Sequence, residues 1–152
     1  MEIDEIDGHI LQELQRDARQ ANTALAKKVG VSPSTVVNRI RALESSGVLR
    51  GYHADVAPVA LGRTVEALVS VRLRPKTPEA VDEFLDAIWG LEETVAVWLV
   101  TGDTDVMIHL SVRNMADLSE TVLRSIAAAP NVADEKSAVV FTHRSRRALP
   151  AL

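Results

Sequence analysis

The sequence contains no cysteine, few aromatic residues and no long apolar run. Aromatic side chains make up 3% of its 152 residues, so the core has to be aliphatic. The lack of cysteine excludes disulfides and thiolate zinc sites, and fits a reducing compartment. The run Val95–Val100 is too short to span a bilayer, and the charged start Met1–Glu5 does not resemble a signal peptide. We therefore expect a cytoplasmic protein with no membrane segment.

The most informative segment lies in the first third of the chain and has the pattern of two short helices joined by a tight turn. Asn22 or Thr23 is placed to cap the first helix, and Gly30 follows it where a left-handed backbone is usual. Ser32 then caps a second helix that Pro33 opens, because the missing N–H costs nothing at that position. This layout predicts a helix-turn-helix, whose second helix enters the DNA major groove.

The outer face of the second helix carries short hydrogen-bonding groups and an arginine. Its buried face is predicted from the spacing of Val36, Ile40 and Leu43. A face built for water alone would more often carry Glu and Lys, whereas this one suits base edges and phosphates. The residues expected to contact DNA are Ser34, Thr35, Asn38, Arg39 and Arg41, with Lys27 and Lys28 on the preceding helix.

Three of these residues have a second interpretation. Arg39 lies nearer the buried side than Arg41, so it either braces the domain through an acid such as Asp17 or reaches a phosphate. Lys27 and Lys28 either contact the DNA backbone or are simply solvated. The spacing alone does not separate these alternatives.

The charge distribution favours DNA over an ordinary helical bundle with solvated Ser and Asn. Residues 16–50 carry seven basic and two acidic groups, a net charge of +5, in a chain of net charge −4. Such a basic segment favours a polyanion and predicts salt-sensitive binding. Residues 1–50 are neutral and residues 51–152 carry −4, so we assign DNA binding to the first half.

The second half alternates between strand and helix patterns. Strands are predicted at 64–73, 94–100, 105–112 and 138–142. One helix begins after Thr77, and a second begins after Asn114 with one face formed by Met115, Leu118, Val122 and Ile126. The order β-α-β-β-α-β predicts a ferredoxin-like sandwich, so the chain is α+β. One sheet face would remain uncovered, and self-association is therefore expected.

These patterns divide the chain into four parts. We expect a three-helix helix-turn-helix domain at 1–50, an extended linker at 51–63, a sensing and assembly domain at 64–143 and a basic tail at 144–152. The first of the three helices is predicted at 4–16, from the spacing of Ile6, Ile10 and Leu14. The tail carries Arg144, Arg146 and Arg147. Tails of this kind are usually solvated, although this one has the charge to touch DNA or a neighbouring subunit.

The sequence carries no pattern typical of an enzyme or a metal site. Its histidines, at positions 9, 53, 109 and 143, lack the spacing of metal ligands. It has no nucleophile elbow, phosphate loop or dinucleotide fingerprint. We therefore expect no catalytic residues, no metal and no cofactor.

The turn Thr101–Asp105 is the candidate small-molecule site of the second half. Gly102 and Asp103 are also good turn residues, so the pair has an ordinary explanation. Asp105 is harder to explain, because a carboxylate at the start of a strand is unfavourable unless it is solvated or paired. Its partner would be a ligand ammonium or an arginine of a neighbouring subunit.

Considered as a whole, the chain resembles the Lrp/AsnC family, the feast/famine regulators of bacteria and archaea. The resemblance covers nearly the whole chain and rests on Ile6-Asp7, Ile10-Leu11, Asp17-Ala-Arg19, Leu25-Ala26, Val29-Gly-Val-Ser32, Arg39-Ile40, Leu43-Glu44, Gly47-Val48, Gly51-Tyr52, Gly62 and Thr101-Gly-Asp-Thr-Asp105. Gly8, Thr104 and Val106 depart from the family's usual residues. The departures at Thr104 and Val106 bear on which effector fits, or on whether any does.

The resemblance implies an N-terminal DNA-binding domain and a C-terminal domain for effector sensing and assembly. It implies dimers formed through the sheets, often assembled further up to octamers. The family's effectors are commonly amino acids bound between subunits. The resemblance places this site near Thr101, Gly102, Asp103, Thr104 and Asp105. The expected partners are therefore double-stranded DNA, an amino acid and further copies of the chain.

Two other functions remain open at this point. Siroheme decarboxylase subunits have a similar layout, but they would need a tetrapyrrole pocket lined by basic groups and histidine. The basic groups here cluster instead on the helix-turn-helix. The other alternative is a sensing or assembly module that has lost DNA binding.

Overall fold

In the computed structural model, residues 2–146 and 148–149 are described, and they form two compact units. One unit comprises the chain up to Asp55 together with the described residues from Arg144 onward, and the other is Val56–His143. The first unit is thus five residues longer than the expected domain and includes part of the tail. Arg147 lies outside the described residues.

The first unit is built from three helices, α1 (Glu5–Arg16), α2 (Asn22–Val29) and α3 (Pro33–Ser45). Asp4 caps α1 by accepting a hydrogen bond from the Asp7 N–H at 2.8 Å. The helices enclose an aliphatic core of Ile10, Leu14, Leu25, Ala26, Val36 and Leu43. This arrangement confirms the predicted three-helix packing.

The turn between α2 and α3 has the predicted backbone. Gly30 ends α2 at φ 75°, a conformation that glycine adopts without steric cost. Ser32 caps α3 by accepting the Thr35 N–H at 3.1 Å. The predicted cap of α2 was wrong, because the helix already begins at Asn22. Ala21 therefore occupies the extended cap position, and no side chain caps this helix.

The second unit begins with a 3₁₀ turn, Pro58–Leu61, within the predicted linker. The elements that follow are β1 (Val65–Leu73), α4 (Pro78–Trp89), β2 (Thr94–Leu99), β3 (Val106–Val112), α5 (Met115–Glu120) with a π-helical extension at Thr121–Ile126, and β4 (Val132–Val139). The strands form one antiparallel sheet in the order β2-β3-β1-β4. The predicted α+β class and ferredoxin-like topology are confirmed.

The core of this unit lies between the helices and one face of the sheet. Alternate residues of β1 and β3, such as Val69 and Ile108, are fully buried there. They pack in one core with Phe84 and Ile88 of α4. The other face carries the intervening residues, because successive side chains on a strand point to opposite sides. On this face Leu68 of β1 is 37% exposed, and Trp98 of β2, which pairs with Met107, is 47% exposed.

Two details of this half were predicted wrongly. The last strand is Val132–Val139, not 138–142, and it pairs with β1 from Ala67 to Leu73. Most of its residues are exposed, and the polar run Asp134–Ser137 interrupts any apolar alternation, so backbone pairing sets its place in the sheet. Met115 is 55% exposed, in the first turn of α5, and does not join Leu118 and Val122 in the core.

No helix within the described part of the chain is both long enough and apolar enough to cross a membrane.

Candidate DNA-binding surface and effector site

The N-terminal turn of α3 presents a cluster of hydroxyl groups. The Ser32 Oγ lies 2.9 Å from the Ser34 Oγ and 2.7 Å from the Thr35 Oγ1. Ser34 is exposed, whereas Thr35 is half-buried. These contacts fix the hydroxyls beside the free N–H groups of a helix start, a place that suits a phosphate or a base edge.

Further along α3, Asn38 and Arg41 are both exposed. Asn38 lies four residues after Ser34 and Arg41 three residues after Asn38, so the three share one face of the helix. Arg41 forms no ion pair with any described residue. This face therefore combines an amide that can read a base with a guanidinium that is free for a phosphate.

Of the two alternatives that the sequence left for Arg39, the structure shows the ion pair within the domain. Its acidic partner is not the expected Asp17. Its Nη1 contacts the Asp4 carboxylate at 2.6 Å and the Asp7 carboxylate at 2.9 Å. The Asp7 N–H and then Arg39 lower the pKa of Asp4 below its ordinary value. Asp17 instead accepts the N–H of Arg19. Arg39 thus ties α3 to the start of α1 through its Nη1.

The two lysines of α2 have different surroundings. The Lys28 Nζ lies 2.5 Å from the Glu13 carboxylate and 3.0 Å from the Gln20 side-chain oxygen. Lys27 is exposed and has no ion pair with any residue that the structure describes. Lys27 is therefore the freer of the two.

These ion pairs reduce the positive charge that residues 16–50, with a net charge of +5 by sequence, leave available for DNA. Three of the cations, Arg16, Lys28 and Arg39, are paired with acids of the α1 region. Those acids lie before residue 16 and were outside that net charge. Of the seven basic groups within residues 16–50, the four that form no ion pair with a described residue are Arg19, Lys27, Arg41 and Arg50.

In the second unit, Asp105 immediately precedes β3 and is 7% exposed. One carboxylate oxygen accepts the Leu73 N–H at 2.9 Å, and the other is bonded to the Lys76 ammonium. Lys76 and then the Leu73 N–H hold the pKa of Asp105 below its ordinary value of 3.8. The predicted partner was a ligand or a neighbouring subunit, whereas the structure supplies one from the same chain.

The remainder of the turn is more open. Thr101, Gly102 and Asp103 are exposed, Thr104 is half-buried, and Gly102 has a φ of 115°. The Asp103 carbonyl accepts the Arg72 Nε–H at 3.3 Å. Two cations, Arg72 and Lys76, therefore lie beside the turn, and the turn itself supplies the carboxylates of Asp103 and Asp105.

Sequence reasoning did not identify Arg72 or Lys76 as parts of this site. Both lie about thirty residues before the turn, and only the pairing of β1 with β3 brings them to it. The unfavourable position of Asp105 was a sound signal that a partner exists. The strand register was needed to name that partner.

Among the residues that the structure describes, no group of three or more His, Asp or Glu side chains is arranged to hold a metal ion.

Comparison with known families assigns both units. Residues 3–44 match the AsnC-type helix-turn-helix domain, and residues 66–149 match the Lrp/AsnC ligand binding domain. The chain belongs to the Lrp/AsnC family. It is a DNA-binding transcriptional regulator with a separate effector-binding domain, as the sequence predicted.

Characterised relatives match this Lrp/AsnC chain over most of its length. It is 35% identical to the HTH-type transcriptional regulator AldR of Mycobacterium tuberculosis, covering 93% of this chain and 79% of the relative. It is 34% identical to the leucine-responsive regulatory protein of Escherichia coli K12, covering 92% and 85%.

Solved structures show the same fold. A transcriptional regulator of Neisseria meningitidis in complex with L-Met superposes with a TM-score of 0.90 at 29% identity, covering 98% of this chain and 97% of that one. The AsnC protein of E. coli gives a TM-score of 0.87 at 26% identity, covering 98% and 99%.

Proposed function

We propose that this Lrp/AsnC protein binds duplex DNA through the outer face of α3 and changes its binding when an amino acid occupies the site at Thr101–Asp105. The free polar face formed by Ser34, Asn38 and Arg41 carries the first part of the proposal. Asn38 is assigned to a base, since an amide can pair bidentately with adenine in the major groove. Ser34, Thr35, Lys27 and Arg41 are assigned to backbone contacts and orientation.

The proposed assembly is at least a dimer, and by family resemblance an octamer. The sheet face that carries Leu68 and Trp98 has no helix over it in the second unit, and a second copy of the chain would cover it. A two-fold dimer places two recognition helices on half-sites about one helical turn apart, roughly 10 bp. The expected operator is therefore an inverted repeat.

The proposed effector is an amino acid, whose two charges match those at the turn. Its carboxylate would bind Lys76, whose side chain is 53% exposed and so retains room for a second partner. Its ammonium would bind the carboxylate of Asp103 or of Asp105. The L-Met complex of the Neisseria meningitidis relative supports this ligand class. Binding between subunits would give the ligand different contacts in different assemblies, which a population shift requires.

The proposal includes no catalytic role and no cofactor. Its relatives are regulators, and the recognition face of α3 carries an exposed arginine, Arg41, that is available for DNA. A regulator acts where the DNA is, so the cytoplasmic expectation belongs to the same proposal. Mixing the purified protein with siroheme and recording absorbance tests the enzyme alternative directly, since the proposal expects no spectral change.

A binding-site selection from random duplexes tests the assignment of α3. Wild-type protein is expected to return an inverted repeat, and Asn38→Ala the same repeat with one base position relaxed, by about 1–3 kcal/mol of discrimination. Ser45→Ala is the matched control, because Ser45 is exposed at the far end of α3 and bonds its own helix. Identical preferences for wild type and Asn38→Ala would refute this role, and no enrichment at all would favour a module without DNA binding.

A further inference from the structure

Leu149 of the C-terminal tail is held on the DNA-binding unit by Gln15 of α1. The Gln15 amide nitrogen donates to the Leu149 carbonyl at 3.0 Å, and the Gln15 oxygen accepts the Leu149 N–H at 2.9 Å. One side chain thus satisfies both backbone groups of a residue 134 positions away. The Leu149 side chain also lines a groove with Leu11 and Leu14 of α1.

Leu149 lies in a groove whose surface continues towards the recognition helix. The groove that includes Gln15 and Leu149 shares Leu14, Ala18 and Tyr52 with a second groove. That second groove is lined by Arg41 of α3. The first groove is also lined by Arg16, Arg50 and Asp55, so Leu149 lies in a groove with two basic groups and one acidic group on its walls.

The charge of the tail has a large effect on this unit. The first 55 residues carry seven Lys and Arg against eight Asp and Glu, a net charge of −1. Arg144 and Arg146 change this net charge to +1. Both arginines are exposed, and neither forms an ion pair with a residue in the described ranges. The DNA-binding unit is therefore net positive only when the tail is part of it.

We propose that the tail is a second DNA-contacting element, in which Arg144 and Arg146 bind backbone phosphates beside the site read by α3. Gln15 acts as the positioning residue that holds the tail against α1. This contact contributes affinity and salt dependence without base preference, because phosphates carry no direct sequence information. The inference rests on the proposed DNA-binding function and extends it to a part of the chain outside the helix-turn-helix.

The test is the dependence of DNA affinity on salt, measured by fluorescence anisotropy with a mixed-sequence duplex of about three turns, roughly 30 bp. Each lost phosphate contact lowers the slope of log K against log salt by about 0.9. The variant Arg144→Ala/Arg146→Ala should therefore lose up to about 1.8 of slope. Gln15→Ala should lower the slope in the same direction by a smaller amount, since the arginines remain.

Two controls separate the tail from general effects. Arg113→Ala/Arg124→Ala removes the same charge from exposed positions of the second unit and should leave the slope unchanged. Gln12→Ala removes a second glutamine of α1 and should also leave it unchanged. Light scattering of every variant must return the wild-type mass, so that a change of assembly is not read as a lost contact.

The outcomes distinguish this inference from the function on which it rests. If the wild type binds DNA and Arg144→Ala/Arg146→Ala has the same salt slope as the wild type, the tail contact is overturned and the α3 assignment stands. An equal loss in Arg113→Ala/Arg124→Ala also overturns it, because net charge would then explain the effect. Wild-type protein that binds no duplex at any salt overturns both proposals together.

Discussion

Asp105 and Lys76 form an ion pair that joins the start of β3 to the turn after β1. The Leu73 N–H satisfies the second oxygen of the same carboxylate. The sequence marked Asp105 as a residue in need of a partner, and this pair explains how a nearly buried carboxylate is tolerated there. It also places a cation beside the turn assigned to the effector.

The first prediction concerns acid stability. Because folding lowers the pKa of Asp105, its contribution to stability is present above its ordinary value of 3.8 and is lost as the pH falls through the lower folded value. Asp105→Asn should therefore be less stable than wild type at pH 7, with the difference shrinking below about pH 4. Urea unfolding midpoints at a series of pH values measure this. The control is Asp103→Asn, which changes an exposed carboxylate and should leave the unfolding midpoint at pH 7 unchanged.

Arg39 is predicted to matter for the stability of the first unit and little for DNA. Arg39→Met leaves the 7% exposed Asp7 without its cation, so it should lower the Tm more than Lys28→Met, which breaks a surface pair. The salt slope of DNA binding should stay at the wild-type value. Thermal unfolding and anisotropy titrations of the two variants decide the matter. A reduced slope with an unchanged Tm would identify Arg39 as a phosphate contact instead.

Arg41 is predicted to show the opposite behaviour. Its exposed guanidinium has no ion pair within the described residues, so Arg41→Ala should keep the Tm and reduce the slope of log K against log salt by about 0.9. The matched control is Arg124→Ala, an exposed arginine of the second unit. If both variants bind as wild type does from low to moderate salt, Arg41 has no part in the interface.

The open face of the sheet is predicted to be a subunit interface. Trp98→Asp introduces a charge on this face beside Met107, so it should shift the mass towards the monomer. Trp89→Asp is the control, because Trp89 is 65% exposed at the end of α4, on the other side of the sheet, and its variant should assemble normally. Light scattering at micromolar concentration gives both masses. A monomeric wild type would remove the basis for the inverted-repeat operator.

The fold and most of the recognition helix could be predicted from the sequence because their signals are local. Gly30, Ser32 and Pro33 mark the turn of the helix-turn-helix, and the spacing of Val36 and Leu43 gives the buried face of α3. Each of these signals spans a few residues. The structure follows them closely.

The parts that were missed depend on distant pairing. The strand β4 is mostly exposed and is held by its hydrogen bonds to β1, so no apolar alternation marks it. The two partners of Arg39, Asp7 and Asp4, lie 32 and 35 residues away in the sequence. Lys76 is 29 residues from Asp105, and Gln15 is 134 from Leu149. Side-chain contacts at such separations follow from topology and register, which the local patterns of one sequence do not specify.

The central claim, a DNA-binding regulator that responds to an amino acid, is tested most directly by one anisotropy titration. Duplex DNA from upstream of the protein's own gene is titrated with wild-type protein and with Asp105→Asn, each with and without a panel of the twenty amino acids. We predict that wild type binds and that at least one amino acid changes its affinity about 5–150-fold, the usual range of allosteric coupling. Asp105→Asn should bind the free DNA equally well and lose the response. A wild type that responds to no amino acid, or a variant that responds as wild type does, would contradict the account and leave Thr101–Asp105 as an ordinary turn.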